Sequence, residues 1–495
     1  MADNRQVIND PIHGNIQLHP LCMKIIDTPQ FQRLRFIKQL GGAYFVYPGA
    51  AHNRFEHSIG VCHLAGRLVR ALRKQKSKAL ENVEITPEDE LCVEVAALCH
   101  DLGHGPFSHV FDTQIIPKLR TDERREWKHE QGSVDMIDHM IEENTELKDK
   151  FIEANIFEDL QFIRELIVGP RDASSNEWPY KGRPKEKGFL YEIVSNKRNG
   201  IDVDKWDYFA RDCYMLGIGK NFNHNRCIDF SRVIDVDGEK QICFRNKEAA
   251  NLYDMFHTRN LLHQRAYKHK TTNIIEIMIA EALVSANDFI TFPGKDSKAC
   301  TMSEAIDDMK AYSLLNDDVI HRILRSTDPR LYQSKQLLER VLKRNFYRLV
   351  GEKRFSHGEF KDENEVKEDM KKIEETNITE DDFSKIVIDI VNFDYGMEDK
   401  NPIDFVRFFT KDNPDKAEQR HKEDVSLLLP KEFAEQLVRV YSRDLDSNFV
   451  AKFETWVKNT RKGTKKQKNI RVKRGWKQGL FEHHYYRILL QTRWN

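Results

Sequence analysis

The chain has no ordered pattern of cysteines. Its eight cysteines form no CxxC pair and follow no regular spacing. That excludes a disulfide frame and a cysteine-based zinc site, and points to reduced thiols in a cytosolic or nuclear protein. Cys99 reads as a small core residue. There is no excess of charge of either sign: 79 basic and 79 acidic residues balance, so net charge names no partner. No apolar run approaches the roughly 20 residues of a membrane-spanning helix. The first residues, MADNRQVINDPIHG, lack the apolar stretch of a secretory signal. A soluble intracellular protein with no membrane partner is expected. No internal repeat is visible. Neither a Walker A motif nor a GxGxxG motif occurs, so phosphate is not held by a glycine-rich loop.

What is present is helical period. HSIGVCHLAGRLVRAL, EDELCVEVAALCHDL, EQGSVDMIDHMIE, FEDLQFIRELIVG and NIIEIMIAEALVSANDFI carry apolar residues at three- and four-residue spacing and predict helices from residue 55 to about 290. Thr86-Pro87-Glu88-Asp89 is a helix start, with proline and acids in the first turn. Residues 7–55 show turn signals around short helical stretches such as FQRLRFIKQL. RVIDVDGEKQICF, over 232–244, reads as a hairpin around Asp237-Gly238. Residues 359–382 are dense in charge and read as a solvated insertion. KIVIDIVNFDYG and DFVRFFT are β-rich, and the tail from Lys458 to Lys477 contains no acid. The expected fold is mostly α: an N-terminal segment (1–54), a helical core (55–350), a smaller α+β lobe (351–455) and a basic tail (456–495). The 495 residues suffice for two or three domains and a large core.

The chemistry concentrates in three places. His57 lies in HNRFEHSIG, His100-Asp101 in CHDLGHGPFSH, and Asp204 in GIDVDKWDYFARDC. The adjacent His-Asp pair ends a buried helix and is followed by Gly103 and Gly105. Two imidazoles and two carboxylates suit a divalent metal: iron, manganese, zinc, nickel or magnesium. His104, His109, Asp112 and His129-Glu130 add titratable groups suited to proton transfer near neutral pH. Arg54, Lys205 and Arg259 add positive charge. Read as a helix, GIDVDKWDYFARDC puts Asp204, Tyr208 and Asp212 on one face, with Asp207 and Arg211 on a neighbouring one. Trp206, Tyr208 and Phe209 imply that much of it is buried. A metal with cations and histidine is the equipment for attack of water on phosphorus.

The H…HD…D pattern of His57, His100-Asp101 and Asp204 resembles the HD phosphohydrolase superfamily. VINDPIHG, DTPQFQRLR, KQLGG, HNRFEHS, CHDLGHGPFSH, SNKRNGIDVDKWDYFARDC and NLYDMFHTRN resemble, in order and over roughly residues 5–455, the vertebrate deoxynucleoside triphosphate triphosphohydrolases that carry SAM and HD domains. That resemblance implies a helical HD core and hydrolysis of a dNTP to deoxynucleoside and inorganic triphosphate, lowering dNTP pools. It implies a metal, Fe, Zn or Mn, at His57, His100, Asp101 and Asp204, with Mg on the nucleotide phosphates. His129 and His104 would sit at the scissile bond, supported by Asp112. Arg54, His109, Lys205, Tyr208 and Arg259 would contact substrate, and Gln39, Leu40, Asp212 and Tyr267 would pack on the deoxyribose. It also implies activation by GTP or dGTP at Val7, Asp27, Gln32 and Arg35, and by dNTP at Asn9, Val46, Arg232, Arg245, Lys247, Asn251, His269 and Lys270, with homodimers joining into a homotetramer. Gln6 and Lys268 depart from the pattern, which has lysine and glutamine there. No SAM domain is expected ahead of the resemblance. By the same likeness the expected location is the nucleus, the cytoplasm or both.

Two other readings compete. Trp476 and Tyr485-Tyr486 in the basic tail suit single-stranded RNA or DNA, against a solvated end or localisation signal. Another HD chemistry, on monophosphates or cyclic nucleotides, would need no activator segment at residues 7–35.

Overall fold

Several helices and the loop that follows one of them bring the site residues together. In the computed structural model, which describes residues 5–75, 77–120, 127–170, 178–372, 378–443, 451–452 and 455–456, the chain divides into two units. One comprises Met1–Phe346 with Phe393–Ala434, the other Tyr347–Asn392 with Glu435–Asn495. Trp476, Tyr485, Tyr486 and the basic tail lie outside the described residues.

The first unit opens with a hairpin, β1 (Gln6–Asp10) and β2 (Gly14–Leu18), in antiparallel register from Gln6↔Leu18 to Asp10↔Gly14. The expected turns and short helices of this region omit it. Ile16 and Leu18 alternate into the core, Asp10 Oδ1 accepts the N–H groups of Ile12 and His13 at 2.9 Å each, and Gly14 takes φ +72°. Helix α1 (Pro20–Ile26) follows, capped by His19. FQRLRFIKQL gives only a short helix, Pro29–Gln32, and a tighter turn, Arg33–Phe36.

Helix α2 (Arg54–Lys74) starts from a capping box between Asn53 and Glu56, and α3 (Pro87–Cys99) from one between Thr86 and Asp89, each satisfying N–H groups the first turn leaves free. Every residue of α3 from Asp89 to Cys99 is buried. It is a core helix, and it stops with His100 at its C-cap. Helices α4 (His129–Glu143), α5 (Leu160–Val168) and α6 (Val203–Leu216) complete the group. α2 packs on both α3 and α6. β3 (Ser231–Val236) and β4 (Glu239–Arg245) form the expected hairpin. Its Asp237-Gly238 turn has positive φ at both residues, the geometry that favours this dipeptide. α7 (Ala249–Leu262), α8 (Lys270–Ala286) and α9 (Tyr332–Leu342) close the unit.

The second unit is a three-stranded sheet of β5 (Arg348–Phe355), β6 (Ile386–Asp394) and β8 (Ala434–Ser442), with β8 central. Before β6 lies α10 (Glu363–Lys371). The solvated-insertion reading is therefore corrected here: Val366 and Met370, one helical turn apart, are fully buried with Phe360, Ile386 and Val438. Two apolar residues at the right spacing suffice despite the charge around them. DFVRFFT is mostly not strand either: only Phe408–Phe409 (β7) pairs, parallel to β4. The expected mostly-α class holds.

The loop after α3 lies against the first turn of α4 at Gly103. A Cβ there would come within 2.0 Å of His129 O and 2.3 Å of Ser133 N. These are backbone atoms that cannot swing away. Gly103→Ala is expected to cost about 1–3 kcal/mol, as overpacking does, and to move His129 relative to Asp101. Chemical denaturation checks the first effect. A loss of turnover larger than the stability loss explains checks the second.

Candidate metal centre and active site

The end of α3 meets α2 and α6 at four ligand-type side chains. His57 Nε2 lies 3.1 Å from Asp204 Oδ1 and 3.5 Å from Asp101 Oδ2. His100 Nε2 lies 3.4 Å from both Asp101 Oδ1 and Asp204 Oδ1. The opposite ring nitrogens are engaged: His57 Nδ1 donates to Asp207 Oδ2 at 2.8 Å, and His100 Nδ1 to Ala97 O at 2.8 Å. When a cation displaces the Nε2 proton, both imidazoles are thus held in the tautomer that turns a lone pair inward, the usual arrangement around a metal. His100 Nε2 is buried with no hydrogen-bond partner. His57, His100 and Asp101 also form one of two clusters with metal-ligand spacing among the described residues. The donor set fits a divalent cation.

Electrostatics support the fit. Burial opposes charge on His57, but the carboxylates of Asp204 and Asp207 outweigh it and push its pKa up to about 10. Burial likewise raises Asp204, yet His100 and His57 hold it well below the carboxylate range. Acids and imidazoles are held as ion pairs, and a cation replaces the protons they share.

The second cluster adjoins the first. His104 Nε2 lies 3.4 Å from Asp101 Oδ1. Its ring stacks on His129 with centroids 3.9 Å apart and planes 17° off parallel. His129 Nδ1 donates to Asp112 Oδ2 at 2.7 Å. Burial, with Arg54 and His129 nearby, drives His104 far below the usual histidine range. Asp112 prevails over burial at His129 and raises it. His109 is mostly exposed, 3.7 Å from Asp112. The loop is held in an unusual shape: Phe107 and Ser108 have φ of 60° and 57°. Asp317 accepts Phe107 N–H at 2.7 Å and Lys38 N–H at 2.8 Å. Ser108 Oγ donates to Lys38 O at 2.7 Å and accepts from Arg54 Nε at 2.9 Å.

Both clusters open into one cavity of about 380 Å³. Its lining includes Gln39, Leu40, Arg54, His109, Tyr208, Asp212 and Tyr267, together with His100, Asp101, His104, His129 and Asp204. Asp212 accepts from Tyr267 OH at 2.5 Å and from His52 Nε2 at 2.6 Å. Arg54 Nη1 donates to Asp101 Oδ2 at 2.7 Å. Lys205 and Arg259 are not in the lining: Lys205 Nζ pairs with Asp202 at 2.9 Å, and Arg259 Nη1 with Asp394 Oδ1 at 2.8 Å. Sequence reasoning gave no role to Asp207, His52, His263 or Glu276, of which the last two line the cavity. Of these, only the Asp207–Arg211 spacing was a signal.

The expected activator residues fall into separate groups. Val7 and Asn9 are exposed on β1, and Asp27 is exposed after α1. Arg35 Nε donates to Gln32 Oε1 at 2.7 Å and its guanidinium lies 3.5 Å from the Phe55 ring centre. Lys247 and Arg245 lie 3.5 and 6.0 Å from the Phe230 ring centre. Arg226, not Arg232, shares that ring, at 5.3 Å; Arg232 instead pairs with Asp415 at 2.8 Å. Asn251 Oδ1 accepts Asn223 N–H at 2.8 Å. Val46 is half-buried. His269 caps α8, which begins at Lys270. Gln6 is exposed in β1, and Lys268 lines the cavity.

Fold and site together define an HD-domain protein, and residues 54–211 match the HD domain family. The chain is 52% identical over 458 residues to human deoxynucleoside triphosphate triphosphohydrolase SAMHD1, covering 90% of this chain and 71% of the relative. It is 51% identical over 452 residues to the Danio rerio protein of that name (89% and 71%). It is 37% identical over 439 residues to the Dictyostelium discoideum homolog (88% and 77%). The chain belongs to the SAMHD1 family of deoxynucleoside triphosphate triphosphohydrolases. Among the described residues, no helix is long and apolar enough to cross a membrane.

Replacing His100 and Asp101 together by alanine is expected to remove bound metal and turnover while the helical circular dichroism persists, because the core-forming turns of α3 precede them. Metal analysis of the purified variant checks this; metal retained at the wild-type ratio contradicts it.

Proposed function

We propose that the cavity hydrolyses deoxynucleoside triphosphates to deoxynucleoside and inorganic triphosphate, using a divalent metal held by His57, His100, Asp101 and Asp204. The observation that carries this is the shared cavity: the ligand cluster and the Asp112–His129 pair meet across Asp101 and His104, beside a sugar-sized wall of Gln39, Leu40, Asp212 and Tyr267. When bound, the metal neutralises phosphate charge and activates phosphorus toward water. Iron, zinc and manganese all suit two imidazoles and two carboxylates, with magnesium on the nucleotide phosphates.

The chain's own residues do the rest. Asp112 fixes His129 through Nδ1, so Nε2 is the nitrogen that passes a proton to the departing 5′ oxygen. Neutral His104 stacks on that ring and limits its tilt. Arg54 places a guanidinium beside Asp101, where triphosphate charge would gather. The hydroxyl of Tyr267 is already committed to Asp212. An added 2′ hydroxyl would crowd that pair, which favours dNTPs over NTPs. Lys205 and Arg259 would reach triphosphate only by leaving Asp202 and Asp394.

The activator reading extends this. GTP or dGTP would bind at Asp27, Gln32, Arg35 and Val7, and dNTP at Asn9, Val46, Arg232, Arg245, Lys247, Asn251, His269 and Lys270, of which Arg245 and Lys247 rim the Phe230 ring. Binding that needs more than one copy would favour a tetramer built from dimers. The likeness to the vertebrate enzymes supports it, as do the exposed Asp27 carboxylate, which offers acceptors for guanine's N1 and N2 donors, and the cation-rimmed aromatic ring.

Metal-loaded protein incubated with dATP, with and without GTP, should release deoxyadenosine and inorganic triphosphate. Release of orthophosphate would replace this reading with another HD chemistry. His129→Gln should lower the rate by about 10²–10⁴-fold, as loss of a general acid does.

Asp27→Ala should abolish stimulation by GTP and the accompanying tetramer, with bound metal retained. Sedimentation velocity with GTP and dATP present checks this, and a normal tetramer peak contradicts it.

A further inference from the structure

Behind His57 lies a buried chain of charge that the chemistry above does not use. The Asp207 carboxylate is fully buried and takes four donors. Oδ2 accepts from His57 Nδ1 at 2.8 Å and Arg211 Nε at 2.9 Å. Oδ1 accepts from His13 Nε2 at 2.7 Å and Arg211 Nη2 at 2.9 Å. The third Arg211 nitrogen, Nη1, donates to Asp10 Oδ2 at 2.8 Å. The other Asp10 oxygen accepts the backbone N–H groups of Ile12 and His13. All the side chains on this path are nearly inaccessible: 4% for Asp10, 1% for Arg211, 2% for His13, 0% for Asp207 and His57. α2 makes room for it at Gly60, where a Cβ would come within 2.0 Å of Asp207 Oδ1 and 2.5 Å of Arg211 Nη2.

We infer that Asp207 and Arg211 are positioning residues that make the metal centre depend on the β1–β2 turn: Asp10 and His13 orient the Asp207 carboxylate, and Asp207 sets the tautomer and angle of His57. The inference rests on the metal assignment of His57 made above. Its physical basis is that a buried carboxylate has no water to replace a lost donor. Removing the Asp10 carboxylate leaves Arg211 Nη1 buried without its acceptor and Asp207 as the guanidinium's remaining acid, so the guanidinium shifts on Asp207. A shift there is passed to His57, because both donate to the same oxygen. Second-shell partners of this kind commonly change metal affinity by roughly 10–100-fold. The path begins at Asp10, the last residue of β1, so the dependence runs through that carboxylate and its donors, not through the apolar packing of the hairpin.

The test uses the full chain and Mn²⁺ as probe, with the dissociation constant from equilibrium dialysis and the His57 ring nitrogens observed by ¹⁵N-histidine labelling. Asp207→Asn should weaken Mn²⁺ binding on the order of 10–100-fold. Asp10→Asn should weaken it in the same direction and shift the His57 Nδ1 resonance, although residue 10 touches no ligand. Ile16→Ala loosens the same hairpin through its fully buried side chain without touching the charge path. It should lower the melting temperature and leave the Mn²⁺ constant and the resonance unchanged. If Asp207→Asn does not fold, Asp10→Asn and Ile16→Ala still decide the matter. Unchanged Mn²⁺ affinity in folded Asp10→Asn overturns the inference, as does an equal loss in Ile16→Ala. Undiminished Mn²⁺ binding by His57→Ala would instead overturn the metal assignment itself.

Discussion

Asp101 is where the two halves of the site share one charge. One oxygen faces His100 and His104, the other Arg54 and His57. Burial alone would protonate it, yet the surrounding cations hold it well below the carboxylate range. That fixed negative charge is what a metal needs on one side and what Arg54 needs on the other. It also explains why His104 and His129 can stack while the wider cluster stays ordered. The neutral ring lies nearer the guanidinium, and the ring favoured in its charged form lies against Asp112. Without Asp101, Arg54 would keep only neutral acceptors, the Ser108 hydroxyl and the Gln39 carbonyl, and its buried charge would lose its counter-ion.

The placement of Asp101 follows from helix chemistry. α3 ends at Cys99, and a helix C-terminus presents carbonyl oxygens and a partial negative charge. A cation gathers there more readily than at any other part of a buried helix. His100 uses one such carbonyl, Ala97 O, to fix its ring. The chain must then turn away at once. The turn is held from outside: Arg33 donates to Leu102 O at 3.0 Å and His104 O at 2.7 Å, and Asp317 clasps Phe107 and Lys38. Local strain at Phe107 and Ser108 is thus supported by contacts from three distant parts of the sequence, as strained active-site loops require.

The four ligand-type residues that meet at the end of α3 were legible in the sequence because His57 and Asp204 sit in helices whose period is plain, and because His100 and Asp101 are adjacent just past a helix end. The faces of α6 were legible for the same reason: Asp204, Tyr208 and Asp212 line the cavity together. Directions of long side chains were not. Lys205 and Arg259 have the right charge, but each finds an acid outside the cavity, and no spacing rule records that choice. Arg232 and Arg226 are six residues apart, and only the strand pairing of β3 decides that the former turns to Asp415. The β1–β2 hairpin was hidden because only Ile16 and Leu18 alternate into the core. Asp207 was hidden because its partners, His13 and His57, lie 194 and 150 residues away.

α6 explains why metal and sugar ends of the cavity keep a fixed separation. Asp204 and Asp212 are eight residues apart, about 12 Å along a helix at 1.5 Å per residue. Rotation of the helix about its axis would move both at once, and it is prevented on the neighbouring face by Arg211 and Asp207, locked to Asp10, His13 and His57. At the sugar end Asp212 is held by His52 and Tyr267, which belong to the approach to α2 and the turn before α8. One helix is therefore tied at both ends and along its flank. The distance between the ligand cluster and the Tyr267 wall is set by backbone geometry, whereas side-chain adjustment would blur it. A cavity that must read a deoxyribose at one end while reacting at the other needs that separation to be rigid.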